Sequence, residues 1–268
     1  MTYKLFTSAL GTQIYNAECA QFLKDNSVGF YGQFDMVCTD PPFNIGQGYD
    51  VCDDRRPDSE YGIWFRDWLH QAAQCLRNGG VFAINVPDAL IGLTLQSVPF
   101  SFTRIDWIIW HYKFGECVRS KFISSHTHCL VFRQCDIPHT FNDHDILVNS
   151  DRKSKYNDRR TVESATPGLR VPLDVWSIDN DGPYWGRIVG ANEEKIDNHP
   201  NQLPELYMAR LIRAYTNPGD LILEPFGGTG TTTVVAEALG RRCVTLELSE
   251  QYCVDIVARL KKGVVRKV

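Results

Sequence analysis

The stretch from Leu221 to Leu239 restricts the fold more than any other. Leu221-Ile222-Leu223 is an apolar run of strand length, Gly227-Gly228-Thr229-Gly230 is a glycine-rich turn, and a helix follows Thr233 and runs through Leu239. Glycines let the backbone come close to a ligand, and the first N–H groups of the next helix have no intrahelical partner, so they attract a carboxylate or phosphate. Strand, glycine turn and helix in this order suit a nucleotide-type ligand on a parallel sheet. A second strand-like run, Cys243-Val244-Thr245-Leu246, ends in Glu247 about twenty residues on, where a carboxylate can accept both hydroxyls of a ribose. The turn lacks the Gly-Lys-Ser/Thr ending of a phosphate-transfer loop. A dinucleotide site is awkward, because threonine holds the third glycine position and no hydride-transfer site accompanies it. A nucleoside with a short zwitterionic tail fits better.

A second feature, Thr39-Asp40-Pro41-Pro42-Phe43-Asn44, follows the apolar run Phe34-Asp35-Met36-Val37-Cys38. Two prolines fix φ and remove two donors, so the chain stops pairing and its carbonyls face outward. Asp40, a proline carbonyl and the Phe43 ring then form a rigid set that can hold a planar amine, with two hydrogens on acceptors and a ring against a face. The bland alternative is a strand-to-loop stop with an incidental aspartate.

Helix-sized and strand-sized segments alternate along the rest of the chain. Ile14-Tyr15 reads as a strand, with Glu18 placed to cap the helix that begins near Ala20. Gln47 to Ser59 is a polar loop beside the proline turn. Tyr61 to Leu76 is a helix ended by Asn78-Gly79-Gly80, with Trp64 and Trp68 read as core. Val81–Ile84, Ile105–Trp110 and Thr127–Phe132 read as strands, and Leu206 to Tyr215 as a helix. The pattern predicts a mostly parallel sheet with helices on both faces. With 268 residues and 43 % apolar content, one large α/β domain with a small insertion is expected.

Periodicity fails from Asp136 to Asn198. Arg152, Lys153, Lys155, Arg159 and Arg160 cluster there around Tyr156, in a stretch read as a surface insertion. Such a run suits a DNA backbone, or is simply a solvated charged face. The net charge of −4 means that any nucleic-acid surface must be local. The nine cysteines are odd in number and form no C-x-x-C, which predicts reduced core thiols. His126, His128 and Cys129 alternate as they would on a strand, so no metal site is expected there. No secretory signal pattern or membrane-length run stands out, and a soluble cytoplasmic enzyme is expected.

Taken together, these segments resemble the amino-group DNA methyltransferases of the β order, in which the catalytic turn precedes the cofactor turn. The resemblance runs from Tyr15 to Leu260. Asp40-Pro41-Pro42-Phe43 resembles the family's catalytic Asp-Pro-Pro-Tyr, and Glu224-Pro225-Phe226-Gly227-Gly228-Thr229-Gly230-Thr231-Thr232 resembles its S-adenosylmethionine turn. His199-Pro200-Asn201-Gln202-Leu203-Pro204 resembles the segment that helps hold the methionine end, and Asp174-Val175-Trp176 recurs in such enzymes. Ala17-Glu18-Cys19 matches the stretch that meets the cofactor's adenine, and Glu247 falls on the ribose-binding acid. Phe43 stands for the usual tyrosine, Glu224 for aspartate, Thr229 for serine, Asn201 for threonine and Leu203 for lysine.

The resemblance implies an α/β, Rossmann-like methyltransferase fold with a mostly parallel central sheet and circularly permuted motif order. Its catalytic half would span residues 1–135, an inserted target-recognition segment 136–198, and the S-adenosylmethionine half 199–268. The catalytic residues would be Asp40, Pro41, Pro42 and Phe43. Cofactor contacts would come from Ala17, Glu18, Cys19, Asp40, His199, Asn201, Gln202, Glu224, Phe226, Gly227, Gly228, Thr229, Gly230, Thr231, Thr232 and Glu247. The five basic residues of the insertion, with Lys113, Arg119 and Lys121, would meet double-stranded DNA. The implied reaction is methyl transfer to N6 of a flipped-out adenine, by a homodimer in a restriction–modification setting. The alternatives are cytosine N4 as the target, a non-catalytic DNA-binding or cofactor-sensing module, and a small-molecule or protein methyltransferase.

Overall fold

The computed structural model describes every residue except 1–2, 9, 52–53, 114, 116–118, 153–158, 160–162 and 198. The strands are β1 (Lys4–Thr7), β2 (Gln13–Asn16), β3 (Phe34–Thr39), β4 (Leu76–Val86), β5 (Phe102–His111), β6 (His126–Gln134), β7 (Val148–Asn149), β8 (Leu169–Arg170), β9 (Val175–Ser177), β10 (Leu221–Glu224) and β11 (Arg242–Glu247). The helices are α1 (Cys19–Asp25), α2 (Ser27–Phe30), α3 (Asp58–Gln74), α4 (Asp88–Ser97), α5 (Ile178–Asp181), α6 (Glu205–Tyr215), α7 (Thr231–Ala238) and α8 (Glu250–Lys262).

One nine-stranded sheet runs β1-β2-β11-β10-β3-β4-β6-β5-β9. Its centre, from β2 to β4, is wholly parallel, as is the β5–β9 pair, while β1 and β6 pair antiparallel with their neighbours. This is the mostly parallel architecture expected from the alternating pattern. Strand order reverses between β10 and β3, and ligands on open α/β sheets bind outside the carboxyl ends of the strands at such a point. Because Leu223 pairs with Val37, Glu224 and the residues leading to Asp40 emerge side by side.

Alternate residues of β3 feed two cores. Val37 faces Trp68, Phe65 and Leu69 of α3, while Met36 and Cys38 face Tyr207, Leu211 and Ile212 of α6 and Val235 of α7. Burying both faces of β3 explains why its sequence is nearly continuous in apolar residues. Burial pushes the Cys75, Cys129, Cys243 and Cys253 thiols up to about 12, so these are inert core groups. Cys135 is exposed, and Cys52 and Cys117 lie outside the described residues. Among the described residues, no helix is long and apolar enough to cross a membrane.

Two expectations are corrected. Asn78-Gly79-Gly80 does not end the helix, because α3 stops at Gln74 and these residues lie inside β4. A Cβ at Gly80 would sit 3.0 Å from the carbonyl oxygens of Phe34 and Asp35, and the β3–β4 register shifts between Phe34 and Met36. The glycines thus serve a strand irregularity with close backbone approach. The segment 136–198 is not all surface either. β9 extends the main sheet beside β5, and Trp176 and Trp185 are buried with the Arg210 guanidinium 5.0 and 3.9 Å from their rings. Asp181 pairs with Arg210 at 2.8 Å, and the Trp110 indole donates to the Trp185 carbonyl at 2.6 Å. Isolated tryptophans between turns carry no period, so the pattern could not reveal them as core.

Candidate active site

The proline turn leaves β3 under several restraints. Tyr61 on α3 donates its hydroxyl to the Pro42 carbonyl at 2.5 Å. Buried Asp54 accepts the N–H of Phe43 at 3.1 Å and of Gln47 at 2.7 Å. Asn44 sits at φ 61, a left-handed conformation that asparagine tolerates, and is held reciprocally by Arg56: its side-chain oxygen accepts the Arg56 N–H at 2.7 Å and its amide donates to the Arg56 carbonyl at 3.0 Å. Through Asp54 and Arg56, the loop read from sequence only as a polar stretch beside the proline turn is therefore also the clamp that fixes it.

On the neighbouring strand, Glu224 accepts the Phe226 N–H at 3.1 Å and the Thr232 hydroxyl at 2.7 Å, which closes the glycine turn onto the start of α7. Gly228 has φ 50, and a Cβ there would lie 2.9 Å from Nε2 of His199. Glu247 ends β11 with one carboxylate oxygen accepting the Gly228 N–H at 2.7 Å and the other the Ser249 N–H at 2.8 Å. Glu247 is thus turned into the cradle. Burial pushes Asp40 up to about 7, Glu224 to about 8 and Glu247 to about 7, with hydrogen bonds to the last two partly opposing it. Burial also pushes His199 down to about 4, so its imidazole is neutral.

One cavity gathers both halves. Asp40, Pro41, Pro42 and Phe43 line it together with Ala17, Glu18, Cys19, His199, Asn201, Gln202, Glu224, Phe226, Gly227, Gly228, Thr229, Thr231, Thr232 and Glu247. Gly230 is the exception among the expected cofactor residues. At φ 74, with its Cβ position 2.8 Å from Ile256, it packs the turn against α8 and is not in the wall. Gln202 does line the cavity, but its amide is engaged locally, donating to the Glu194 carbonyl at 2.6 Å and accepting the Ile196 N–H at 3.0 Å. Glu18 combines two roles, since it caps α1 through the Gln21 N–H at 2.7 Å and accepts the Trp64 indole at 3.1 Å.

Sequence reasoning missed Tyr49, Asp54, Tyr61, Ser249 and Tyr252 in this wall and placed Trp64 in the core. Trp68 is core, whereas Trp64 lines the cavity with its ring edge-to-face on Phe226 at 5.7 Å. Only Ser249 carried a readable signal, as a serine before a helix, and it caps α8 by accepting the Tyr252 N–H at 3.1 Å.

The expected DNA contacts lie elsewhere. Arg119, Lys121, Arg152 and Arg159 are exposed, and exposed Lys113 pairs with Asp179 at 2.5 Å. Lys153, Lys155 and Arg160 lie outside the described residues.

Cys129 turns into the core away from its histidine neighbours, and Asp88 joins His126 and His128 instead. His128 Nδ1 accepts the Trp107 indole N–H at 2.9 Å, so a neutral His128 carries its proton on Nε2, facing Asp88 at 3.3 Å. That nitrogen has no lone pair to offer a metal.

The cavity wall suits S-adenosylmethionine. Glu18, Asp40, Asp54, Glu224 and Glu247 bring five carboxyl groups against the single guanidinium of Arg56 among the described lining residues, an environment that favours a cationic tail. Glu247 brings a carboxylate to the cavity beside the glycine turn, as a ribose-binding acid would require, and the first turn of α7 can offer N–H groups to a carboxylate.

The family model described as DNA methylase, N6_N4_Mtase, matches residues 34–258. The Type II methyltransferase M.BglII of Bacillus subtilis is 30 % identical over 269 residues, covering 94 % of this chain and 69 % of that protein. The DNA adenine methyltransferase YhdJ of Escherichia coli strain K12 is 29 % identical over 227 residues, covering 81 % and 73 %. Among solved structures, the cytosine-N4-specific PvuII DNA methyltransferase shares the fold with a TM-score of 0.62 at 17 % identity, over 96 % of this chain and 94 % of that one. An acceptor turn and a nucleoside cradle meeting on one sheet edge, within a match that spans most of the length, place the chain among the N6/N4 amino-group DNA methyltransferases, with S-adenosylmethionine as its cofactor.

Proposed function

We propose that the chain methylates N6 of an adenine flipped out of double-stranded DNA. The observation that carries this reading is the meeting of Asp40 and the Glu247 cradle in one cavity. An exocyclic amine shares its lone pair with the ring and is a poor nucleophile, so acceptors on its two hydrogens help localise that pair. The Asp40 carboxylate and the Pro41 carbonyl take these hydrogens, and the Phe43 ring stacks on the base. When bound, S-adenosylmethionine supplies an activated methyl group on a sulfonium. Much of the remaining acceleration is positioning, for which Tyr61, Asp54 and Asn44 hold the turn rigid. Flipping the base costs a few kcal/mol, and stacking worth about 1–3 kcal/mol offsets part of it.

The choice of adenine rests on the aspartate that leads the turn, which in this family leans toward adenine, and on the resemblance to YhdJ. The fold is compatible with either base, as the cytosine-specific neighbour illustrates. DNA methylated by the protein and digested to nucleosides is expected to yield N6-methyladenine; N4-methylcytosine in its place would overturn the assignment. A restriction–modification role in the cytoplasm accords with the likeness to M.BglII.

The raised carboxyls give a pH signature. They hold protons in the folded protein at a pH where they are ionised in the unfolded chain, so stability falls as pH rises between about 4.5 and about 8. A cationic ligand favours the ionised forms. Binding of S-adenosylmethionine near pH 7 is therefore expected to release protons, seen as a calorimetric enthalpy that varies with the ionisation enthalpy of the buffer. A buffer-independent enthalpy would mean that the carboxyls are already ionised before binding.

Sequence reading belongs to the segment 136–198, with Arg152, Lys153, Lys155, Arg159 and Arg160 on phosphates and a few side chains reaching base edges. Neutralising all five should flatten the dependence of log K on log salt by roughly 0.9 for each phosphate left without its cation. An unchanged slope would return the run to ordinary solvated surface. A short recognition segment also favours two copies on one site, and sedimentation of the protein should show a dimer.

A further inference from the structure

None of the described residues in the loop joining β5 to β6, residues 112–125, lines the cofactor cavity. β5 is antiparallel to β6, β6 is antiparallel to β4, and β4 is parallel to β3. The carboxyl end of β5 therefore opens on the same edge of the sheet as Asp40. Past the strands the two arms stay together. The Tyr112 N–H donates to the Ser125 carbonyl at 2.8 Å, and Gly115 comes so close to Ser124 that a Cβ would lie 2.0 Å from its carbonyl oxygen. Beyond this contact stand Phe122, 99 % exposed, and the exposed cations Arg119 and Lys121. Three residues can carry Phe122 roughly 10 Å beyond Ser125, comparable with the depth of about 8.5 Å of a major groove.

We propose that Phe122 is the wedge that enters the duplex at the step vacated by the target base, while Arg119 and Lys121 hold the phosphates beside it. The wedge rests on the flipped-base reading above. Extruding a base leaves a gap in the stack, and apolar side chains inserted between base steps fill such gaps. A ring flanked by cations matches a base stack flanked by phosphates, and the loop rises from the edge of the sheet where the extruded base must arrive. Phe100, also fully exposed, precedes β5 at the opposite edge, and so serves as a control of equal exposure.

The test uses the full chain and a duplex bearing its methylation site, identified by modification-sensitive sequencing of DNA from cells expressing it. A second duplex carries an abasic position opposite the target base, so that no pairing remains to be broken. Phe122→Ala is expected to lose about tenfold to a hundredfold in kcat/KM on the paired duplex and to stay within about threefold of the parent on the abasic one. Phe122→Trp should retain most activity on both, and Phe100→Ala all of it, with S-adenosylmethionine affinity unchanged throughout. Equal loss on the two duplexes, or none on either, overturns the wedge. So does a paired-duplex defect found in Ile45→Ala instead, since Ile45 is the exposed apolar residue beside the catalytic turn. A parent protein that methylates no DNA would sink the flipped-base reading itself, and the wedge with it.

Discussion

Asp40→Ala is expected to lower methyl transfer to DNA by roughly a thousandfold or more while leaving S-adenosylmethionine binding within about tenfold of the parent. Two separable jobs share one cavity. Asp40 follows β3, is held by a turn that Tyr61 and Asp54 brace, and in the proposed reaction supplies an acceptor to the amine. The cradle is braced by other bonds, from Glu224 to Thr232 and from Glu247 to Gly228, neither of which involves Asp40. Removing the carboxylate also relieves charge repulsion on Glu224, to which Asp40 contributes. Asp40→Asn keeps the one acceptor oxygen that a single amine hydrogen needs but loses the negative charge that strengthens this bond, so it should fall below the parent yet retain more transfer than alanine. Labelled-methyl transfer and calorimetric titration of the same preparation give both numbers; transfer at the parental rate would remove Asp40 from the chemistry.

Glu247→Gln is expected to weaken S-adenosylmethionine binding by about a hundredfold, nearly as much as Glu247→Ala. An amide usually replaces a carboxylate gently, but not here. Both oxygens of Glu247 already accept backbone N–H groups, from Gly228 on one side and Ser249 on the other. Whichever way the glutamine amide is turned, its NH2 faces one of those donors. The glycine turn and the cap of α8 are then pushed apart, in addition to the loss of a ribose acceptor. Should glutamine bind the cofactor like the parent, the carboxylate would be structural only. The parent's thermal stabilisation by S-adenosylmethionine provides an independent reading of the same loss.

The features legible in the sequence were local ones. The strand, glycine turn and helix at 221–239 declared themselves because each rests on a short-range rule, and Asp40-Pro41-Pro42 did so because two prolines leave the backbone few choices. Tyr61, Trp64 and Asp54 were illegible as site residues. An aromatic at helical spacing looks the same whether it faces a core or a cavity, and an aspartate in a charged loop looks solvated until its partners fold around it. The same limit explains Gly79 and Gly80, whose glycine signal is shared by helix ends and strand irregularities. Trp176 and Trp185 escaped because burial there comes from stacking around Arg210 and not from any repeat.

The place of β10 and β11 in the sheet has a consequence for biosynthesis. They are translated after every other strand described, yet they sit between β2 and β3. A ribosome-bound chain that has emerged only as far as α6 carries two sheet fragments with raw edges facing an unfilled slot, and such edges recruit neighbours readily. The nascent protein is therefore exposed to misassembly until the slot is filled, and it gains the ability to mark DNA in one late step, with no partly active precursor.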